Sequence, residues 1–114
     1  MISANDGKPN QLWLNQGGGS FIDDALFTGT AVNRAGRAEA SMGVDAADFD
    51  NDGDPDLFMT HLMGETNTLY VNMGDGLFED KTIEYGLASG SMPFTAFGTA
   101  WFDYDNDGWL DLLV

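Results

Sequence analysis

The chain has 114 residues, 43% of them hydrophobic and 20% charged, which suits one packed domain and excludes a disordered tail. Nineteen acids stand against four bases, a formal net charge of −15, so nucleic acids and anionic membrane surfaces are poor partners and cations are natural ones. There is no cysteine, hence no disulfide framework, thiolate metal site or cysteine nucleophile, and no apolar run approaches the roughly 20 residues that span a bilayer.

From the N-terminus, MISANDGKPN carries neither the basic nor the apolar segment of a secretion signal. QLWLNQGGGSFIDD (11–24) reads as two short strands about a Gly-rich turn; three glycines ahead of a strand make a sheet turn, not a phosphate cradle. ALFTGTAVNRAGRAEA (25–40) is the best helical candidate, but its Gly, Thr and Val residues weaken it. It is expected to be an irregular connector, and it holds Arg34 and Arg37 in the kind of loop where binding residues gather. MGVDAADF (42–49) is a strand leading into an acidic loop, and PDLFMTHL (55–62) is an apolar strand leaving it. TNTLYVN (66–72) alternates, meets the turn NMGDG, and LFEDKTI (77–83) alternates again. GTAWFDY (98–104) and WLDLLV (109–114) then enclose a second acidic loop.

The chain repeats. DFDNDGDPDL (48–57) superposes on DYDNDGWLDL (103–112) at an offset of 55, bringing Gly43 onto Gly98 upstream. QLWLNQGGGSFIDD lies over TLYVNMGDGLFEDK (68–81) at an offset of 57, pairing Trp13 with Tyr70, Asn15 with Asn72 and Phe21 with Phe78. A fixed period of 55–57 residues marks a repeat architecture. Four strands of about five to seven residues per period, joined by Gly- and Asp-rich turns, form one antiparallel sheet. The expected fold is therefore all-β, built of β-propeller blades. Residues 1–40 would supply the last two strands of one blade and a connector, 41–85 a whole blade, and 86–114 the first two strands of the next. The ends are in register, Ile2 on Met59 and Met59 on Val114, so each end is cut in the middle of a second strand. Two blades do not close a ring and leave apolar edges open. The chain is thus expected either to be part of a longer propeller or to close a ring as a homo-oligomer, six blades as a trimer or eight as a tetramer.

Each acidic loop has Asp at positions 1, 3, 5 and 9 and Gly at position 6. In the first loop these are Asp48, Asp50, Asp52 and Asp56, and in the second Asp103, Asp105, Asp107 and Asp111. Odd spacing in a tight loop turns alternate carboxylates inward, and the backbone carbonyl at position 7 (Asp54 or Trp109) adds a fifth oxygen. That donor set suits calcium, which takes six to eight oxygens; softer metals want His or Cys. An EF-hand is excluded, because its position 12 must be Glu and here it is Met59 or Val114. Without a cation, carboxylates brought so close together would repel. Two calcium sites per chain are expected.

These loops resemble the calcium-binding loops of FG-GAP repeats, as in the propeller of integrin α subunits. The longer strings NTLYVNMGDGLFEDKTIEYGLASG and GTAWFDYDNDGWLDLLV, with SANDGKPNQLWLNQGGGSF as a link between blades, are similar to the FG-GAP-like (VCBS) repeats of the cartilage acidic protein and ASPIC/UnbV group. The resemblance implies blades with calcium held in the hairpin between their first two strands. Its ligand positions fall on the eight Asp residues named above, with the carbonyls of Asp54 and Trp109. It further implies a non-enzymatic adhesion or protein-binding module, with structural calcium, in an extracellular, periplasmic or cell-surface setting.

Other chemistry has little support. His61, the only histidine, reads as a packing or surface residue, with no partner for a catalytic triad. Glu39, Glu65, Glu79 and Glu84 show no placement that suggests a glycosidase pair. Trp13, Trp101, Trp109, Tyr70 and Tyr104 are expected to pack between blades; a blade-edge aromatic stacking on sugar would make the module a glycan-binding lectin instead.

Overall fold

A computed structural model describes all 114 residues. Nine short strands dominate: β1 (Ile2–Ser3), β2 (Gln11–Gly17), β3 (Ser20–Asp23), β4 (Gly43–Ala47), β5 (Asp56–Thr60), β6 (Thr68–Asn72), β7 (Phe78–Asp80), β8 (Ala100–Phe102) and β9 (Asp111–Leu113). The connectors following β3 and β7 each contain a single helical turn, α1 (Ala25–Thr28) and α2 (Ala88–Ser91). The first ends on Gly29 in the left-handed conformation, the usual helix stop.

The strands form three antiparallel sheets in chain order, β1-β2-β3, β4-β5-β6-β7 and β8-β9. The middle sheet is a four-stranded meander, and β5 and β6 are buried along their whole length. Side chains alternate across a strand, so the two faces of this sheet pack on different neighbours. Leu57, Met59 and Tyr70 face the first sheet and meet Ile2, while Phe58, Leu69 and Val71 meet Trp101 and Leu112 of the third. This face-to-face stacking of a complete four-stranded sheet between two partial ones is the all-β, blade-like architecture expected from the repeat.

Aromatic rings fill the second interface. Phe49 stacks on Trp101 with centroids 5.5 Å apart, and Phe58 and Tyr85 approach this pair edge-on. Such pairs add about 0.5–1.5 kcal/mol each beyond burial. A polar hook crosses the same interface: Trp101 donates its backbone N–H to Asp45 Oδ2 at 2.9 Å.

The repeat register differs from expectation at the N-terminus. Ile2 lies opposite Leu12, whose counterpart Leu69 lies opposite Phe58. Ile2 therefore matches Phe58, not Met59, because the stretch between the paired residues, 3–11, is one residue shorter than its counterpart 59–68. At the other end β8 and β9 pair as β4 and β5 do at an offset of 55, with Asp111 in the place of Asp56.

Candidate metal centre

Both acidic loops are hairpin connections, between β4 and β5 and between β8 and β9. Each wraps around its first aspartate. Asp48 accepts the backbone N–H groups of Asp52 and Gly53, both at 3.0 Å, through its two oxygens. Asp103 accepts those of Asp107 at 3.0 Å and Gly108 at 2.9 Å. Two left-handed residues make so tight a wrap possible: Asn51 and Asn106, both at φ 61°, and Gly53 and Gly108, at 98° and 90°. Glycine enters that region freely and asparagine more readily than other side chains.

The wrap gathers Asp48, Asp50 and Asp56 in the first loop and Asp103, Asp105 and Asp111 in the second. In each group, one carboxylate oxygen per residue lies within 4.8 Å of the others. Asp52 and Asp107 stand outside these groups. Their Oδ1 atoms instead accept the backbone N–H two residues on, from Asp54 and Trp109, both at 2.9 Å. Asp54 is half-buried and Trp109 exposed, at the seventh position of each loop.

The two groups differ in their surroundings. Asp56 is 1% exposed; its Oδ1 accepts the Asn72 N–H of β6 at 2.8 Å and its Oδ2 the Phe49 N–H at 3.4 Å. Burial pushes its pKa up, the two N–H bonds oppose this, and the charges of Asp50 and Asp52 add to the rise. Asp111 is exposed and accepts only the Tyr104 N–H, at 2.8 Å. Three convergent carboxylates, one of them buried, form a hard oxygen donor set that fits a divalent cation. Both groups could hold a metal ion.

The model for the FG-GAP-like repeat matches residues 1–59 and again residues 60–114. The chain belongs to the FG-GAP-like repeat family. No curated protein matches it. FG-GAP-like repeats are structural and interaction modules of propeller type. The boundary between the two FG-GAP-like repeats falls between Met59 and Thr60, inside β5. A repeat thus runs from the end of one blade's second strand to the second strand of the next, and the middle blade draws on both repeats.

Sequence reasoning missed three supporting residues. Asn51 and Asn106 recur at position 4 of both loops, and that recurrence was the available signal. Asn72 secures Asp56 through its backbone N–H and Pro55 through its side chain, which donates to the Pro55 carbonyl at 3.3 Å. No local pattern marks a partner sixteen residues away.

Proposed function

We propose that the chain is a calcium-stabilised propeller module serving protein binding or adhesion in a calcium-rich setting outside the cell. The observation that carries this reading is the recurrence of one three-carboxylate group in both hairpins of an FG-GAP-like repeat chain. Asp48, Asp50 and Asp56 would hold one ion and Asp103, Asp105 and Asp111 the other. Asp52 and Asp107, with the carbonyls of Asp54 and Trp109, would add further oxygens to each shell. Each ion ties a hairpin's first strand to its second and offsets the repulsion among its acids, which is a structural role.

The test is thermal unfolding of Asp50→Ala and Asp105→Ala, in calcium and in chelator. At tenfold excess over its dissociation constant an ion adds about 1.4 kcal/mol. Each variant should then melt roughly 5 °C below wild type in calcium and level with it in chelator. Equal losses in both conditions would sink the metal assignment.

A second copy of the chain is proposed as the partner at the open sheet edge. β9 occupies the place of β5 but lacks the third strand that β6 supplies to β5. Beside it an apolar groove of about 590 Å³ is lined by Phe58, Leu87, Phe94, Phe97, Leu112 and Val114, among others. β2, the counterpart of β6, is a strand of the right kind for that edge, and only the two residues of β1 cover its own. Three or four such copies would close a ring.

A further inference from the structure

Away from the metal loops, at the other end of β5, lies a buried polar cluster. Its centre is His61, fully buried and the only histidine in the chain. Its backbone N–H donates to Asn67 Oδ1 at 3.0 Å, and its carbonyl accepts the Ala96 N–H at 3.1 Å. Its ring accepts the Ser41 backbone N–H at Nδ1, at 2.8 Å. The neutral ring therefore carries its proton on Nε2, which sits 3.4 Å from Glu39 Oε2, short of hydrogen-bond geometry.

Residues 39–41 end the connector from the first blade to the second, and side chains of the second blade hold them from several directions. Glu39 Oε2 accepts the Thr68 hydroxyl at 2.9 Å, and Glu65 Oε2 accepts the Ala40 N–H at 3.0 Å. Ser41 is in the left-handed region, φ 48°, a costly conformation for a residue with a side chain. The ring's acceptor atom is the partner of a backbone N–H that would otherwise be buried and orphaned.

We propose that His61 is an acid-sensitive latch, whose protonation at Nδ1 displaces the Ser41 N–H and releases the connector where it enters the second blade. A doubly protonated ring has two donors and no acceptor, so Nδ1–H and the Ser41 N–H would face each other donor to donor. The carboxylates that face the ring are Glu39 on the connector, Glu65 on the turn after β5 and Asp80 on β7. All three favour the charged ring. Burial outweighs them and holds its pKa below the ordinary 6.5. A depressed folded pKa means that the unfolded chain binds the proton more tightly. The latch's stability is therefore complete above pH 6.5 and is lost as the pH falls from there towards the folded value. In that window the unfolding equilibrium constant rises by up to tenfold per pH unit.

The test is urea unfolding of the whole chain at pH 7.5, 6.5 and 5.5, for wild type and His61→Gln, in calcium and in chelator. Glutamine can accept the Ser41 N–H and does not titrate, so the variant should lose the part of the acid slope that belongs to the ring. An unchanged slope would overturn the latch. Should His61→Gln fail to fold, the single imidazole of the wild type is read directly by long-range ¹H–¹⁵N NMR. The neutral ring should show its proton on Nε2 and titrate below 6.5, with Ser41 amide protection falling over the same range. Titration at or above 6.5, or protection that persists through it, would overturn the proposal. The metal loops take no part, so failure of calcium binding leaves this result intact.

Discussion

Asn51 and Asn106 sit at φ 61° in the two acidic loops, where an ordinary side chain costs about 1–2 kcal/mol. Their substitution separates backbone shape from charge. Asn51→Gly should leave stability in chelator within a few tenths of a kcal/mol, whereas Asn51→Ala should lower it by about 1 kcal/mol, read by urea unfolding. Equal effects would mean that the asparagine side chain matters more than its left-handed backbone. What the sequence revealed at this scale was what repeats locally. The Asp-x-Asp-x-Asp spacing and the glycine at position 6 are visible because loop ligands lie within nine residues of one another. The turning of Asp52 and Asp107 onto the N–H two residues on was hidden, since either carboxylate could equally serve an ion or the backbone. Asp45 was hidden for another reason: its hook to Trp101 spans 56 residues, and its counterpart one repeat on is Ala100.

The two hairpins are one loop design in two surroundings. In the β4–β5 hairpin the third strand is present, and its Asn72 N–H fixes Asp56 before any ion arrives. In the β8–β9 hairpin Asp111 has no such bond from a third strand. Preorganisation raises affinity by removing the cost of ordering the ligands. Calorimetric titration of the chain with calcium should therefore resolve two affinities, with the tighter one abolished by Asp50→Ala and the weaker by Asp105→Ala. Two identical affinities would show that the third strand contributes nothing. The hairpins themselves were legible as strand-like apolar runs on either side of an acidic turn, and the connector 25–40 as a segment without a convincing helical period. The one-residue slip of Ile2 was not, because a shortened link between strands leaves no mark in a repeat aligned by its motifs.

For the molecule as a whole, the end sheets expose Phe21 and Leu113, whose counterparts in the middle sheet, Phe78 and Phe58, are half-buried and buried. Two glycines one repeat apart report whether anything covers them. A Cβ on Gly43 would collide with the Phe97 carbonyl oxygen and lie 2.9 Å from Thr60 Oγ1, while one on Gly98 meets nothing within 4 Å. Gly43→Ala should destabilise the chain in any state. Gly98→Ala should be harmless to an isolated chain and weaken an assembly in which another blade's connector approaches as Phe97 approaches Gly43. Light scattering on both variants and wild type, in calcium, reads this directly. A trimer or tetramer loosened by Gly98→Ala supports closure by further copies, and a monomer indifferent to it refutes that closure.

The repeat boundary inside β5 sets a rule for how such a chain can change length. Because the middle blade takes strands from two repeats, removing one repeat does not remove one blade; it splices the front of one sheet to the back of another. The splice is seamless only when the lost segment is a whole period, since any other cut joins positions that are not equivalent, and an odd displacement turns apolar faces outward. Duplication or loss of genetic material in steps of about 55–57 residues therefore keeps the strands in register, while contacts of residues that do not recur, such as Trp101 with Ala46 in its place one repeat back, change. Copy number in such a chain changes only in whole periods, and the register of its strands stays fixed.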